Sequence, residues 1–460
     1  MRKIVLLMLL VSGVAFTQYR MNPEPVPIPP SKQRLGGDPR KGYEYLTMGD
    51  YVKGGIPYSF FLAGAGAANK AKLPFLQREG MNKDISYEYT AVKASNGEVL
   101  VAPNCLQCHA QVVDGKLYIG LGNSLSDFTQ FQKLNPKLFE QAEAFLKKTK
   151  PAQYEAAAPF FTVTKTVGPY LNTPVRGVNP ADRLAAVLAA HRDPKTFKWS
   201  ETALLDIPTE IIPTDVPAWW LLKKKNAMFY SGFGRGDFGR FLMASNLLTV
   251  TDTTESAEVD SHMPDVLAYL YSIEPPAYPY PLDKQLASKG KILFEKNCSK
   301  CHGKYGDAET YPNLMIPASI IKTDSLLFKA NYSSPQFLNW FNNSWFTTGD
   351  HPAKLEPFPG YIAPPLDGIW ITGPYLHNGS VPTLEAMLNS KGRPRYWSRD
   401  FEKPAIDTEK GGWKYTSHEK PGGPTIYNTD VAGYGNYGHY FGDKLTPEER
   451  KAVIEYLKTL

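Results

Sequence analysis

All four cysteines of the 460-residue chain fall into two copies of one spacing, Cys105-Leu106-Gln107-Cys108-His109 and Cys298-Ser299-Lys300-Cys301-His302. Thiols three positions apart share one face of a helical turn, where each can form a thioether with a vinyl group of a porphyrin. The adjacent histidine then falls beneath the iron as its proximal ligand. Cys-x-x-Cys-His therefore reads as c-type haem attachment. A zinc site would need the two pairs to converge and would leave both histidines unexplained. A thioredoxin-type pair does not normally carry a histidine after its second cysteine in two separate places. The expected cofactors are two covalently bound haem c groups, with His109 and His302 as iron ligands.

The chain opens with Arg2 and Lys3, an apolar run from Ile4 to Val11 and small residues around Ser12 to Ala15. That order is a secretory signal, here residues 1–17, and it predicts a periplasmic or secreted protein. No later stretch reaches the roughly 18 uninterrupted apolar residues of a spanning helix, so no transmembrane helix is expected in the mature chain. The formal charge is +6, two of it from Arg2 and Lys3, and no basic patch carries interleaved aromatics. Nucleic acid is not an expected partner.

Pro- and Gly-rich stretches divide the rest. Residues 18–42 read as an extended leader, and 275–281 as a linker between a first haem domain (43–274) and a second (282–460). Asp283 to Asn297 sets Leu286, Ile292, Leu293 and Phe294 among charges, the pattern of an amphipathic helix entering the haem turn. Val266 to Ile273 and Lys451 to Leu460 close the two halves, and Thr446, Pro447 and Glu449 form a helix start before the latter. The expected fold is mainly α: two cytochrome c-like domains with long loops and insertions.

Six histidines remain after the proximal pair: 191, 262, 351, 377, 418 and 439. His439 lies in a Gly-rich loop before the last helix, where glycine lets backbone approach a flat group closely. His377 lies in a turn ahead of a short helix from Thr383 to Leu388. His191 and His262 suit structural roles, and His351 and His418 exposed loops. Met243 and Met387 are possible thioether ligands, although methionine at helical spacing more often packs a core. No compact run of oxygen ligands marks a Ca²⁺ site.

The stretch Tyr361 to Leu388 (YIAPPLDGIWITGPYLHNGSVPTLEAML) and the element from Gly438 to Leu460 resemble the di-haem cytochrome c peroxidase superfamily. Within it they are most similar to di-haem rubber oxygenase-like c-type cytochromes. The resemblance implies an electron-transfer haem held by His302 and His439, and a catalytic haem above His109. It places Trp220 between the two and His377 near a haem edge as the catalytic residues. The reaction it implies is peroxide reduction, or oxygen activation against an organic substrate, with electrons exchanged through a small redox protein or a respiratory donor or acceptor. The residues leave a second reading open, a non-catalytic di-haem electron-transfer cytochrome. In Lys223 to Thr249, which holds Arg235, Arg240 and Met243, the oxygenases' distal pocket finds no match.

Overall fold

Each haem motif is accompanied by a pair of helices that meet at a glycine. The computed structural model describes residues 24–130 and 136–460; the expected signal peptide and the first residues of the leader lie outside them. In the second half, Lys284–Asn297 is capped by the Asp283 carboxylate, which accepts from the amides of Gln285 and Leu286. It lies against the closing helix Pro447–Leu457, which begins with a complete Thr446/Glu449 capping box. Gly290 makes the approach possible, since a Cβ there would stand 1.9 Å from the Ala452 carbonyl oxygen.

The first half repeats the arrangement with a helix that the leader conceals. Pro39–Met48 begins on an Asp38 cap with proline in its first turn. It packs on Met263–Ser272 through Gly42, whose Cβ would meet the Asp265 carbonyl oxygen at 2.0 Å. The leader is tied in further by Val26 and Pro27, which pair antiparallel with Met315 and Leu314. Arg34 is buried and bonded to Asp237 at 2.6 Å and Asp260 at 2.9 Å.

The expectation of a mainly α fold is corrected. Helices take 41% of the structure and strands 13%, so the architecture is mixed. Among the described residues there are three three-stranded and two two-stranded sheets, all of strands two to five residues long. Backbone in the long insertions must satisfy its polar groups once buried, and it does so in short antiparallel ladders. Two hairpins carry the usual turn signals. Tyr89–Lys93 and Val99–Pro103 pair around Asn96-Gly97. Ala110–Val113 and Lys116–Ile119 pair around Asp114-Gly115, both with positive φ as a type I′ turn requires.

The largest apolar cluster joins Leu106, Phe160, Leu188, Trp219 and Leu267 to Trp340, Phe341 and Phe346 from beyond the linker. The linker is packed too. Tyr278 and Tyr280 lie edge-on to Trp370, whose indole N–H donates to Pro276 O at 2.8 Å.

The helix contact at Gly290 is directly testable. Gly290→Leu should lower unfolding stability by about 1–3 kcal/mol or more through overpacking. Lys289→Ala, at an exposed position one residue away, should change it little; chemical denaturation of both variants checks this.

Candidate haem sites

The second motif sits where the Lys284–Asn297 helix ends at Cys298, and Ser299–His302 forms one further turn. The Cys301 and His302 amides both donate to Cys298 O at 3.1 Å, which stacks the two sulfurs and the imidazole on one side. His302 Nδ1–H donates to Pro364 O at 2.8 Å, leaving Nε2 with the free lone pair. Across a gap stands His439, its ring centroid 6.1 Å from that of His302 and tilted by 56°. Burial depresses both imidazoles, His439 to about 3, with His302 and Arg393 adding to the effect. Two neutral imidazoles facing one another across that separation suit a single metal ion between them.

His439 adopts a left-handed backbone, φ 50° and ψ 55°. Its amide donates to Ile321 O at 2.7 Å. Gly438, at φ +85°, lies so close to Thr323 that a Cβ would be 2.3 Å from its nitrogen. Arg393 fastens the loop from the other side, donating to the carbonyls of Ala386, Met387, Asn436, Gly438 and His439. Asn378 Nδ2 donates to Gly433 O and Gly435 O, both at 2.9 Å, and Ser380 Oγ donates to Gly435 O at 3.1 Å. The His377–Ser380 turn thus braces the loop that presents His439.

His377 itself is 5% exposed and stacked on Tyr361 at 4.1 Å. The Tyr361 hydroxyl donates to Asp324 O at 2.6 Å, so its oxygen is free to accept from His377 Nε2–H at 3.1 Å. Burial holds the His377 pKa down to about 3, and the ring is neutral.

At the first motif the Leu106–His109 turn runs straight into the Asp114-Gly115 hairpin. The His109 carbonyl accepts from Gly120 N, and Gly120 O accepts from Trp219 N, both at 2.8 Å. That closed circuit lays the Trp219 indole flat on the His109 ring, centroids 4.4 Å apart and planes 15° from parallel. Among the described residues His109 Nδ1 and Trp219 Nε1 are buried without hydrogen-bond partners. A small apolar cavity opens beside Cys105, lined by Tyr51, Trp219, Met243, Asn246, Met263 and Val266.

Trp220, 1% exposed, is held by its indole N–H on Asp367 O at 2.9 Å. Asp367 lies three residues from Pro364, which carries the His302 hydrogen bond. The Trp219-Trp220 pair therefore touches the His109 ring through Trp219 and the Asp367 carbonyl through Trp220. The family resemblance singled out Trp220 and passed over Trp219. It also passed over Arg393, which nothing but its position after the matched run would have marked.

The remaining candidates have other partners. His191 Nδ1 lies 2.9 Å from Ser200 O, His262 stacks on Tyr45, and His418 Nε2 is 2.7 Å from Ser398 Oγ. Arg240 pairs with Asp260 and lies 4.0 Å over the Trp345 ring. Arg235 approaches Glu356 at 3.6 Å.

Both sites fit haem c. The four cysteines form no disulfide, and among the described residues no cluster of three or more His, Cys, Asp or Glu converges to hold a bare metal ion. Burial pushes the Cys105 and Cys298 thiols up to about 11, surroundings that suit a neutral thioether better than a thiolate ligand. Around Cys298 the wall is apolar, from Phe294, Leu384, Leu388, Leu445 and Val453.

Sequence comparison agrees with this class of protein. Residues 360–398 match the family described as RoxA-like, cytochrome c-like. The match relates the chain to RoxA-like c-type cytochromes and implies haem c and an oxidoreductase-type role, without reaching to the di-haem peroxidases. The matched segment contains Pro364, His377, Asn378, Ser380 and Arg393, the residues that brace His302 and His439. Two relatives come from Sinorhizobium fredii (strain NBRC 101917 / NGR234). Uncharacterized protein y4iM is 28% identical over 293 residues, covering 55% of this chain and 66% of its own length. Uncharacterized protein y4iJ is 44% identical over 111 residues, 22% of this chain and 18% of its own length.

The bracing around His377 has a pH signature. A histidine depressed from 6.5 to about 3 contributes stability that is complete above its unfolded pKa and lost as pH falls toward the folded one. His377→Gln should therefore lose stability less steeply than the wild type between pH 6.5 and 3, as followed by denaturation midpoints.

Proposed function

We propose that the chain is an exported di-haem c-type oxidoreductase in which a closed electron-transfer centre serves a second, catalytic one. Bound haem supplies an electron reservoir at each motif and, where a coordination position stays open, the place at which peroxide is reduced or oxygen is activated. The single observation that carries the reading is the contrast between the two histidines. His302 faces a second imidazole at 6.1 Å, whereas the ring lying against His109 is an indole, with an apolar cavity alongside.

The chain's own residues divide the work accordingly. Cys105, Cys108, Cys298 and Cys301 anchor the two groups through thioethers. His302 and His439 would hold the second, leaving small ligands no position at its iron. Trp219 and Trp220 fill the space between the axial supports with aromatic surface, a route for electrons that excludes water. The cavity beside Cys105 offers an uncharged lining to a small oxidant or an organic substrate. Electrons would be exchanged with a small redox protein or respiratory partner in the periplasm or outside the cell. No helix among the described residues is long and apolar enough to cross a membrane.

A second reading, a non-catalytic electron carrier, draws support from Met243. It is 2% exposed and lines the same cavity, where its thioether is available to a sixth coordination position.

Two measurements separate these readings. Material made with intact cytochrome assembly should carry two covalent haems by mass. Replacing both cysteines of either motif by alanine should remove one of them; a mass unchanged by the double substitution would refute attachment there. The first iron should then show a high-spin signal and bind cyanide, and Met243→Leu should leave that signal unchanged. Two low-spin irons in every redox state, with Met243→Leu converting one to high spin, would establish the carrier instead.

A further inference from the structure

We propose that Trp219 is a positioning residue for the first axial histidine, and that the contrasting supports of the two histidines set the direction of electron flow. The inference rests on the reading that both motifs bind haem. A ligating imidazole that gives its second N–H to an acceptor becomes a stronger donor to the iron and stabilises its oxidised state. His302 has such an acceptor in the Pro364 carbonyl at 2.8 Å. The acceptor is itself held firmly. Leu366 N, two residues on, donates to the Tyr305 hydroxyl at 2.6 Å.

His109 has no counterpart to that bond. Its Nδ1 is buried and unpartnered among the described residues, and what fixes the ring is the face of Trp219, 4.4 Å away. An indole face accepts poorly from an N–H in the plane of a ring stacked parallel to it. Trp219 is 3% exposed, and the His109–Gly120–Trp219 backbone circuit prevents it from swinging away. Gly120 lets the circuit close, because its φ of +92° is a conformation that L side chains rarely adopt. His109 is thus held as firmly as His302 but left the weaker donor. The first iron then has the higher reduction potential, and electrons arriving at the second centre run toward the first.

The test is a redox titration of the holoprotein followed by EPR, with haem content measured beforehand. The signal of the His302/His439 centre should titrate at the lower potential. Trp219→Phe keeps a flat ring and should leave the first centre's potential and line shape in place. Trp219→Leu removes the ring without adding an acceptor and should broaden the first centre's signal. Trp219→Gln offers an amide carbonyl to Nδ1–H and should shift the first wave downward while the second stays put. A reversed order of potentials in the wild type, or a first wave unmoved in the Gln variant, overturns the inference. Where the Gln variant fails to fold, a first signal left unbroadened in the Leu variant overturns the positioning role of Trp219. Absence of haem from the first motif would instead defeat the functional reading beneath it.

Discussion

Around the second motif, the structure depends on holding His439 in a backbone conformation that residues other than glycine rarely adopt. A single residue in the left-handed region costs of order 1–3 kcal/mol. The surroundings outweigh that cost. Hydrogen bonds to a charged group contribute about 1.5–3 kcal/mol each, and Arg393 spreads its guanidinium over five carbonyls of the loop and the neighbouring short helix. The Ile321 carbonyl adds one more bond to the strained residue's own amide. The imidazole is therefore held rigidly opposite His302, and the His377–Ser380 turn keeps the loop in place.

The first motif solves the same problem with different materials. Backbone carbonyls and an aromatic face replace the arginine clamp, and the space beside Cys105 is left apolar instead of being filled by a second imidazole. Two sites built on one attachment motif and one helix-pair plan thus differ in what surrounds the metal position. A tandem of identical electron carriers would have no need of that difference. The two motifs differ in the supports of their histidines, more than in the histidines themselves.

Much of this was legible in the sequence because it is local. The two Cys-x-x-Cys-His turns, the Asp283 cap and the Thr446/Glu449 capping box depend on neighbours within a few residues, and each appears where the spacing predicts it. His439 faces His302 across 6.1 Å. The helix Pro39–Met48 was hidden because prolines upstream suggested an extended leader, although Asp38-Pro39 is itself a helix start. The sheets were missed for a related reason. Strands of two to five residues leave little periodicity to detect, although Asn96-Gly97 and Asp114-Gly115 announced two hairpins. Trp219 and Arg393 could not be found from spacing at all, because Trp219 lies 110 positions from His109 and Arg393 lies 43 to 46 from the carbonyls of the His439 loop, contacts that arise only on folding.

The strand Val26–Pro27 has a consequence for the order of events during biogenesis. Its partner strand, Leu314–Pro317, lies beyond both attachment motifs, and the third member of that sheet, Gly360–Ile362, lies further still. A chain made from its N-terminus cannot seat this first ribbon until about seven-tenths of its length, residue 317 of 460, has emerged. Both cysteine pairs consequently pass through a stage in which the final architecture has not yet closed over them.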